Sequence, residues 1–288
     1  MLGQAGPPPA ILSETRVPAR RWRRWRVASS HITVLSLTVI LVVWEIVGRQ
    51  LPAALASYPS AIAVAFWQLV VDGRLAAAFV ASIQPFIAGY LLAALIGIPL
   101  GLLLGRDRTI EAALGIYVTA GYAVPLVALV PLFVLWFGLG VLVKVVIIFT
   151  MTVFPIIINT WAGVKAVPRA LVEVGTAFVA SPAAITRKII IPATIPYVMT
   201  GLRLAIGRAV VGMVVAEFFT AIGGLGGIII NAGNNYDMAV LFVPVIVLMM
   251  LGYGLTVLVG TLERKIAPWH AGITGRDEQR SALREDDR

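Results

Sequence analysis

VPRALVEVGTAFVASPAAITRKIIIP, from Val167 to Pro192, is a polar interruption between two long apolar runs. It carries Arg169, Glu173, Arg187 and Lys188 in a chain that is otherwise strongly apolar. Val167, Leu171, Val174 and Phe178 step by four, three and four, which puts a single apolar stripe along a short helix. A helix that leaves the bilayer with a greasy face needs something to cover that face. It either lies on the membrane surface or docks into a groove on a separate protein. The second reading is the sharper of the two.

Outward from this stretch, composition identifies an integral membrane protein. Hydrophobic residues make up 59% of the 288 and charged residues 13%, with a mean hydropathy of +0.94. Charge-free stretches run over 27–44, 75–105, 112–143, 145–164 and 238–262. Each is near or above the ~20 residues needed to cross a hydrocarbon core. A sixth apolar segment, about 195–221, contains Arg203, Arg208 and Glu217. The expected fold is all-α and integral to the membrane, with about six transmembrane helices and a cytoplasmic helical insert. The expected parts are a disordered basic N-terminus (1–31), a first transmembrane helix (32–50) and an external loop or amphipathic segment (51–77). A transmembrane core (78–262) with its loop at 164–191 and a tail (263–288) complete the chain.

Cation placement gives the orientation. With six helices starting inside, segments 1–31, 105–111, 164–191 and 263–288 face the cytoplasm and hold 18 of the 23 Lys and Arg residues. The external loops then hold Arg49, Arg74 and Lys144. The positive-inside rule therefore puts both termini in the cytoplasm. It also accounts for the net charge of +9 without nucleic acid as a partner. The Arg and Trp residues of 20–26 suit contact with anionic membrane lipids. Ala54-Leu55-Ala56 has the form of a signal cleavage site, but Glu45 and Arg49 intervene, so an uncleaved first helix is expected. With no cysteine, the chain has neither disulfides nor thiolate metal sites.

Within the spans, Gly89, Ala93, Gly97, Gly101 and Gly105 place a small residue at every fourth position. Such a ridge lets another backbone approach closely, within the subunit or across a subunit interface. Prolines at 85, 99, 125, 131, 155 and 244 kink or end spans, which suits a transporter better than an anchor. Arg208 and Glu217 are embedded charges nine residues apart, on opposite faces of one helix, so each needs a partner elsewhere. Either they face a translocation pathway or they form structural ion pairs. Gly223-Gly224-Leu225-Gly226-Gly227 lacks the Lys-Ser/Thr of a phosphate loop and reads as a flexible turn. No catalytic or metal-ligand cluster appears, and His31 and His270 flank the membrane region.

The insert resembles the cytoplasmic coupling loop of permease subunits in binding-protein-dependent ATP-binding-cassette importers, written Glu-Ala-Ala, three residues, Gly. The branch it is most similar to handles nitrate, sulfonates and taurine. Leu171-Val172-Glu173, Ala180-Ser181, Lys188-Ile189-Ile190-Ile191-Pro192, Thr200-Gly201-Leu202-Arg203 and Val215-Ala216-Glu217-Phe218 carry the likeness. Tyr58-Pro59-Ser60, Gly97-Ile98-Pro99-Leu100-Gly101, Leu135-Trp136-Phe137-Gly138 and Phe154-Pro155 extend it over roughly 51–270. The resemblance implies the fold of a type I importer permease like that of the methionine importer, in a bacterial plasma (inner) membrane. It implies a second permease subunit, as a homodimer, two cytoplasmic ATPase subunits and an extracytoplasmic solute-binding protein. ATP and Mg would be bound by the ATPases and no cofactor by this chain, which is not itself an enzyme. Leu171, Glu173, Val174, Gly175, Phe178, Val179, Ser181, Arg187 and Lys188 would form the coupling contact. Arg187 and Lys188 would lie on a second short helix that returns to the membrane, capped by Ser181 with Pro182 at its first position.

Two positions depart from the family pattern. Val174-Gly175 stands where the family has Ala-Ala, and Val179 where it has glycine. A β-branched residue tolerates positive φ poorly, so either the turn is built differently or the coupling residues have drifted. The alternative function is a gradient-driven secondary transporter or channel, which needs intramembrane coupling carboxylates; Glu217 and Glu45 are the candidates. A membrane scaffold has no use for the kinked spans and embedded charges. The family branch implies a small anion as solute.

Overall fold

The computed structural model describes residues 29–220 and 223–268. The basic N-terminal segment before Ser29 and the tail after Pro268, with His270, lie outside the described residues. The chain divides after Val43. The first unit contributes the beginning of α1 (Ser29–Gln50), and the second runs from Trp44 onward. Among the described residues all regular structure is helical.

Five helices among the described residues are long and apolar enough to cross a membrane, and a bent pair makes six if it is one span. They are α1, α3 (Arg74–Arg106), α6 (Val141–Lys165), α9 (Ile191–Thr220) and α11 (Met238–Ile266). The pair is α4 (Arg108–Ala123) with α5 (Val130–Phe137), joined through a 3₁₀ turn at Leu126–Leu129 and bent by 87°. The span over 112–143 is thus broken at Val124-Pro125, one of the prolines expected to kink or end a span. Val124 is extended (φ −65°, ψ 134°), as the residue before a proline prefers. Pro85, Pro99, Pro155, Pro196 and Pro244, in contrast, stay inside continuous helices.

The core is a three-helix layer of α3, α6 and α9. A Cβ added to Gly89, Gly97, Gly101 or Gly105 would meet Ile148, Ile156, Thr160 or Val164 respectively, each at 3.0 Å or less. Partner numbers rise with glycine numbers, so α3 and α6 run parallel. The chain must therefore return to the starting side between them, which makes the broken α4–α5 pair a true crossing. The glycine ridge is internal packing within the subunit. Gly163 approaches Thr194 and Tyr197, and Gly212 approaches Ile148 and Met151, so α9 runs antiparallel to α6. Lipid offers no hydrophobic drive between helices, so this close van der Waals fit holds the layer together.

Two short helices fill the side where α1 ends: α2 (Pro59–Val71), which buries Ile62, Ala65 and Leu69, and α10 (Gly224–Asn234). Trp44 Nε1 donates to the Ser57 carbonyl (2.9 Å) and the Glu45 carboxylate accepts from Ser60 N–H and Oγ. These bonds tie the end of α1 to the start of α2. On the opposite side, Asp107 caps α4 by accepting from the amides of Thr109 and Ile110. The Ile110 and Thr109 amides hold its carboxyl below the usual carboxylate range. There Lys165 also meets Glu111 at 2.5 Å.

Candidate functional site

The polar interruption folds into an elbow. Pro168 ends the run of α6, because it has no N–H to continue the ladder and disfavours helix at Val167. α7 (Arg169–Ala177) follows, then a turn, then α8 (Pro182–Ile185), which joins α9 through a π-helical turn at Thr186–Ile190. Ser181 Oγ accepts from Ala184 N–H at 3.3 Å with Pro182 in the first turn, as the sequence suggests. Arg187 and Lys188 lie in the π turn rather than on a separate return helix. Pro192 follows at once and cannot donate to an α-helical ladder, which favours the wider turn before it.

Gly175 sets the angle of the elbow. It is buried, and a Cβ there would reach Ile189 Cδ1 at 3.0 Å and Ile185 Cγ1 at 3.1 Å. The glycine where the family has alanine therefore lets α7 lie close on the returning segment. Arg106 braces the same corner by donating to the Pro182 carbonyl at 3.2 Å. The rest of the apolar stripe is bare. Leu171 and Val174 are exposed, and Phe178 and Val179 keep 82% and 91% of their surface. Exposure means little along a span, where lipid supplies the cover. It means much here, because α7 begins only after α6 has ended. Glu173, Ser181, Arg187 and Lys188 are exposed on the same elbow, whereas Val167 is half-buried and precedes α7.

Val179 accounts for the second departure from the family pattern. Its φ is +55°, so the turn keeps the left-handed residue that glycine usually supplies. Val179 N–H donates to the Thr176 carbonyl (2.9 Å) and Ala180 N–H to the Gly175 carbonyl (3.1 Å). This is a Schellman closure with valine in the strained position. Holding a non-glycine residue there costs about 1–2 kcal/mol. Val179→Gly is expected to stabilise the closed turn by about 1 kcal/mol after glycine's extra unfolded freedom, or about fivefold. Hydrogen exchange at the amides of residues 179 and 180 reads this directly; unchanged or faster exchange would show that the turn is not strained.

The embedded charges separate. Glu217 is fully buried (0% exposed). Ser82 Oγ donates to its Oε1 (2.6 Å), Gly226 N–H donates to its Oε2 (2.7 Å), and Lys144 Nζ stands 3.9 Å from Oε1. Leu225 N–H in turn donates to Ser82 Oγ (2.8 Å). One carboxylate thus ties α3, α6, α9 and α10 together. Gly223-Gly224-Leu225-Gly226-Gly227 is accordingly not a flexible turn: it opens α10 and presses its first amides onto this network. A Cβ at Gly224 would fall 2.1 Å from Glu217 Oε1, so only glycine fits. Lys144 is likewise not in an external loop but buried inside α6. Its position, alone in a charge-free run from 112 to 164, was the available signal. Glu217 therefore lines no open path here. Arg203 bonds Glu263 on α11. Arg208 is exposed, with Nη2 donating to Tyr122 Oη at 3.2 Å.

Comparison with known proteins agrees with this architecture. The model of the family described as binding-protein-dependent transport system inner membrane component matches residues 97–268. The riboflavin transport system permease protein RibX of Chloroflexus aurantiacus is 33% identical over 239 residues, 82% of this chain and 89% of that protein. The taurine transport system permease protein TauC of Escherichia coli is 28% identical over 274 residues, 92% of this chain and 99% of that one. Among solved structures, an inward-facing MetNI methionine ABC transporter superposes with a TM-score of 0.60 at 18% identity. It covers 68% of this chain and 97% of its own.

Proposed function

This chain belongs to the family of binding-protein-dependent transport system inner membrane components, and from that premise we propose that its elbow is the lever through which separate ATPases drive import. It is the membrane-spanning permease of an ATP-binding-cassette importer. The ATPases grip Leu171, Val174, Phe178 and Val179, while Glu173, Arg187 and Lys188 meet polar groups around the cleft. ATP and Mg sit on those subunits and no cofactor on this one. Two copies of this chain pair around the pathway, two ATPases dock below, and a solute-binding protein delivers from outside. Both termini face the cytoplasm of a bacterial plasma membrane, the side that carries most of the Lys and Arg residues.

The observation that carries this reading is the bare apolar face of α7 beyond the end of α6. Helix-in-groove recognition buries such a face, and the braced corner at Gly175 and Arg106 transmits movement of α7 to α3 and α9. A gradient-driven mechanism is disfavoured because Glu217 is already held by Ser82, Gly226 and Lys144. Glu45 is engaged by Arg49 and Ser60. The solute is a small anion of the sulfonate, nitrate or taurine kind; TauC supports this class.

A photo-crosslinking residue placed at position 178 tests the lever. On irradiation in membranes it is expected to join this chain to the ATPase subunit, with a yield that changes when ATP is added. Products with lipid alone would refute the lever and favour an elbow lying on the membrane surface.

A further inference from the structure

Arg208 stands midway along α9, where an ionised group is costly unless it meets protein or water. The other two cations embedded within α6 and α9 have carboxylates: Arg203 bonds Glu263, and Lys144 lies beside Glu217. Arg208 instead packs on an aromatic ring, with its Cζ 5.0 Å from the Tyr122 centroid and the phenol oxygen accepting from Nη2. A guanidinium has five donors in a planar fork, so this contact holds the group while most of its donors stay available.

What it faces is a groove of about 450 Å³ lined by Val124, Pro125, Leu126, Met151, Gly207 and Arg208, among others. The lining is apolar except for that one cation. The volume falls in the range of roughly 300–1,000 Å³ typical of small-molecule sites. Position 207 adds room, since a Cβ there would meet nothing within 4 Å. The groove also sits at the α4–α5 break, where a span gives up helical bonding at Val124-Pro125. Irregular backbone at membrane depth is tolerated where it lines a cavity, and broken helices of this kind mark solute sites in transporters.

We propose that Arg208, steadied by Tyr122, binds the oxyanion headgroup of the transported solute in this groove at mid-membrane. This rests on the importer reading above, with the solute's apolar part against Met151 and Leu126. A sulfonate or carboxylate supplies two acceptors in one plane, which the guanidinium fork matches and a lysine ammonium does not.

Trifluoromethanesulfonate, a small sulfonate followed by fluorine NMR, is the probe. It is titrated into the full-length chain purified in detergent with the subunits it retains. The wild type is expected to broaden its resonance saturably. Arg208→Gln is expected to weaken binding about tenfold or more through loss of a charge-assisted contact, and Arg208→Lys to weaken it less. Arg187→Gln, on the elbow, is expected to change nothing. Neutral trifluoroethanol is expected to show no dependence on position 208. Absence of saturable broadening in the wild type would overturn the proposal. So would equal affinity in Arg208→Gln and wild type, or equal dependence for trifluoroethanol. If Arg208→Gln does not fold, Arg208→Lys at wild-type affinity would overturn the forked geometry. The readout needs neither ATP nor solute movement, so it fails separately from the lever, which the crosslink at position 178 tests.

Discussion

Phe178→Asp is expected to abolish ATP-driven uptake while leaving the chain folded and inserted in the membrane. The side chain keeps 82% of its surface and contributes little to the subunit's own packing, so its loss does not disturb the fold. In the assembled importer it is the large aromatic on the apolar face that docks. Removing such an anchor and burying a carboxylate in its place costs about 3 kcal/mol or more, a fall of roughly 150-fold in ATPase affinity. Co-purification of the ATPase on a tagged permease is the direct readout, and Phe178→Leu is expected to retain it. Wild-type uptake by Phe178→Asp would remove α7 as the docking element.

Gly101→Leu is expected to lower the yield of folded subunit about tenfold. A Cβ alone at that position would come within 2.6 Å of Thr160 Cβ and 2.7 Å of the Ile157 carbonyl, so even alanine forces α3 away from α6. Four glycines meet α6 in register, so one side chain wedged at the centre strains the contacts on either side. Overpacking of this kind costs about 1–3 kcal/mol or more, enough to lower the folded yield about tenfold. Gly254→Leu is the matched control, because a Cβ at Gly254 on α11 meets nothing within 4 Å. Monodisperse protein recovered in detergent measures both. Equal yields from the two variants would show that the ridge is not the fold's spine.

The spans were legible because a charge inside lipid is expensive, so gaps between charges mark the crossings. The break in the α4–α5 crossing was not. Pro125 sits in an apolar run just as Pro99 and Pro155 do, yet those two remain inside helices of the central layer. Which proline breaks a span depends on neighbours far away in sequence. The same limit hid the Glu217 network. Sequence required a partner for the carboxylate, but Ser82 and Lys144 come from helices brought together only by the packing of α3 and α6 on α9. A lone cation between two apolar runs reads as a loop, whereas Lys144 is buried within α6. The elbow was the most legible part, from its periodicity and the Ser181-Pro182 cap. The handedness of Val179 was not: its residue type argues against the conformation that the closure of α7 imposes.

Purified permease in liposomes, with and without its ATPase subunits, tests the central claim. Solute delivered by the binding protein should accumulate only when ATPases and ATP are both present, and the chain by itself should pass none. Accumulation driven by this chain alone, under an ion gradient and without nucleotide, would contradict the assignment of the elbow as a lever moved from outside.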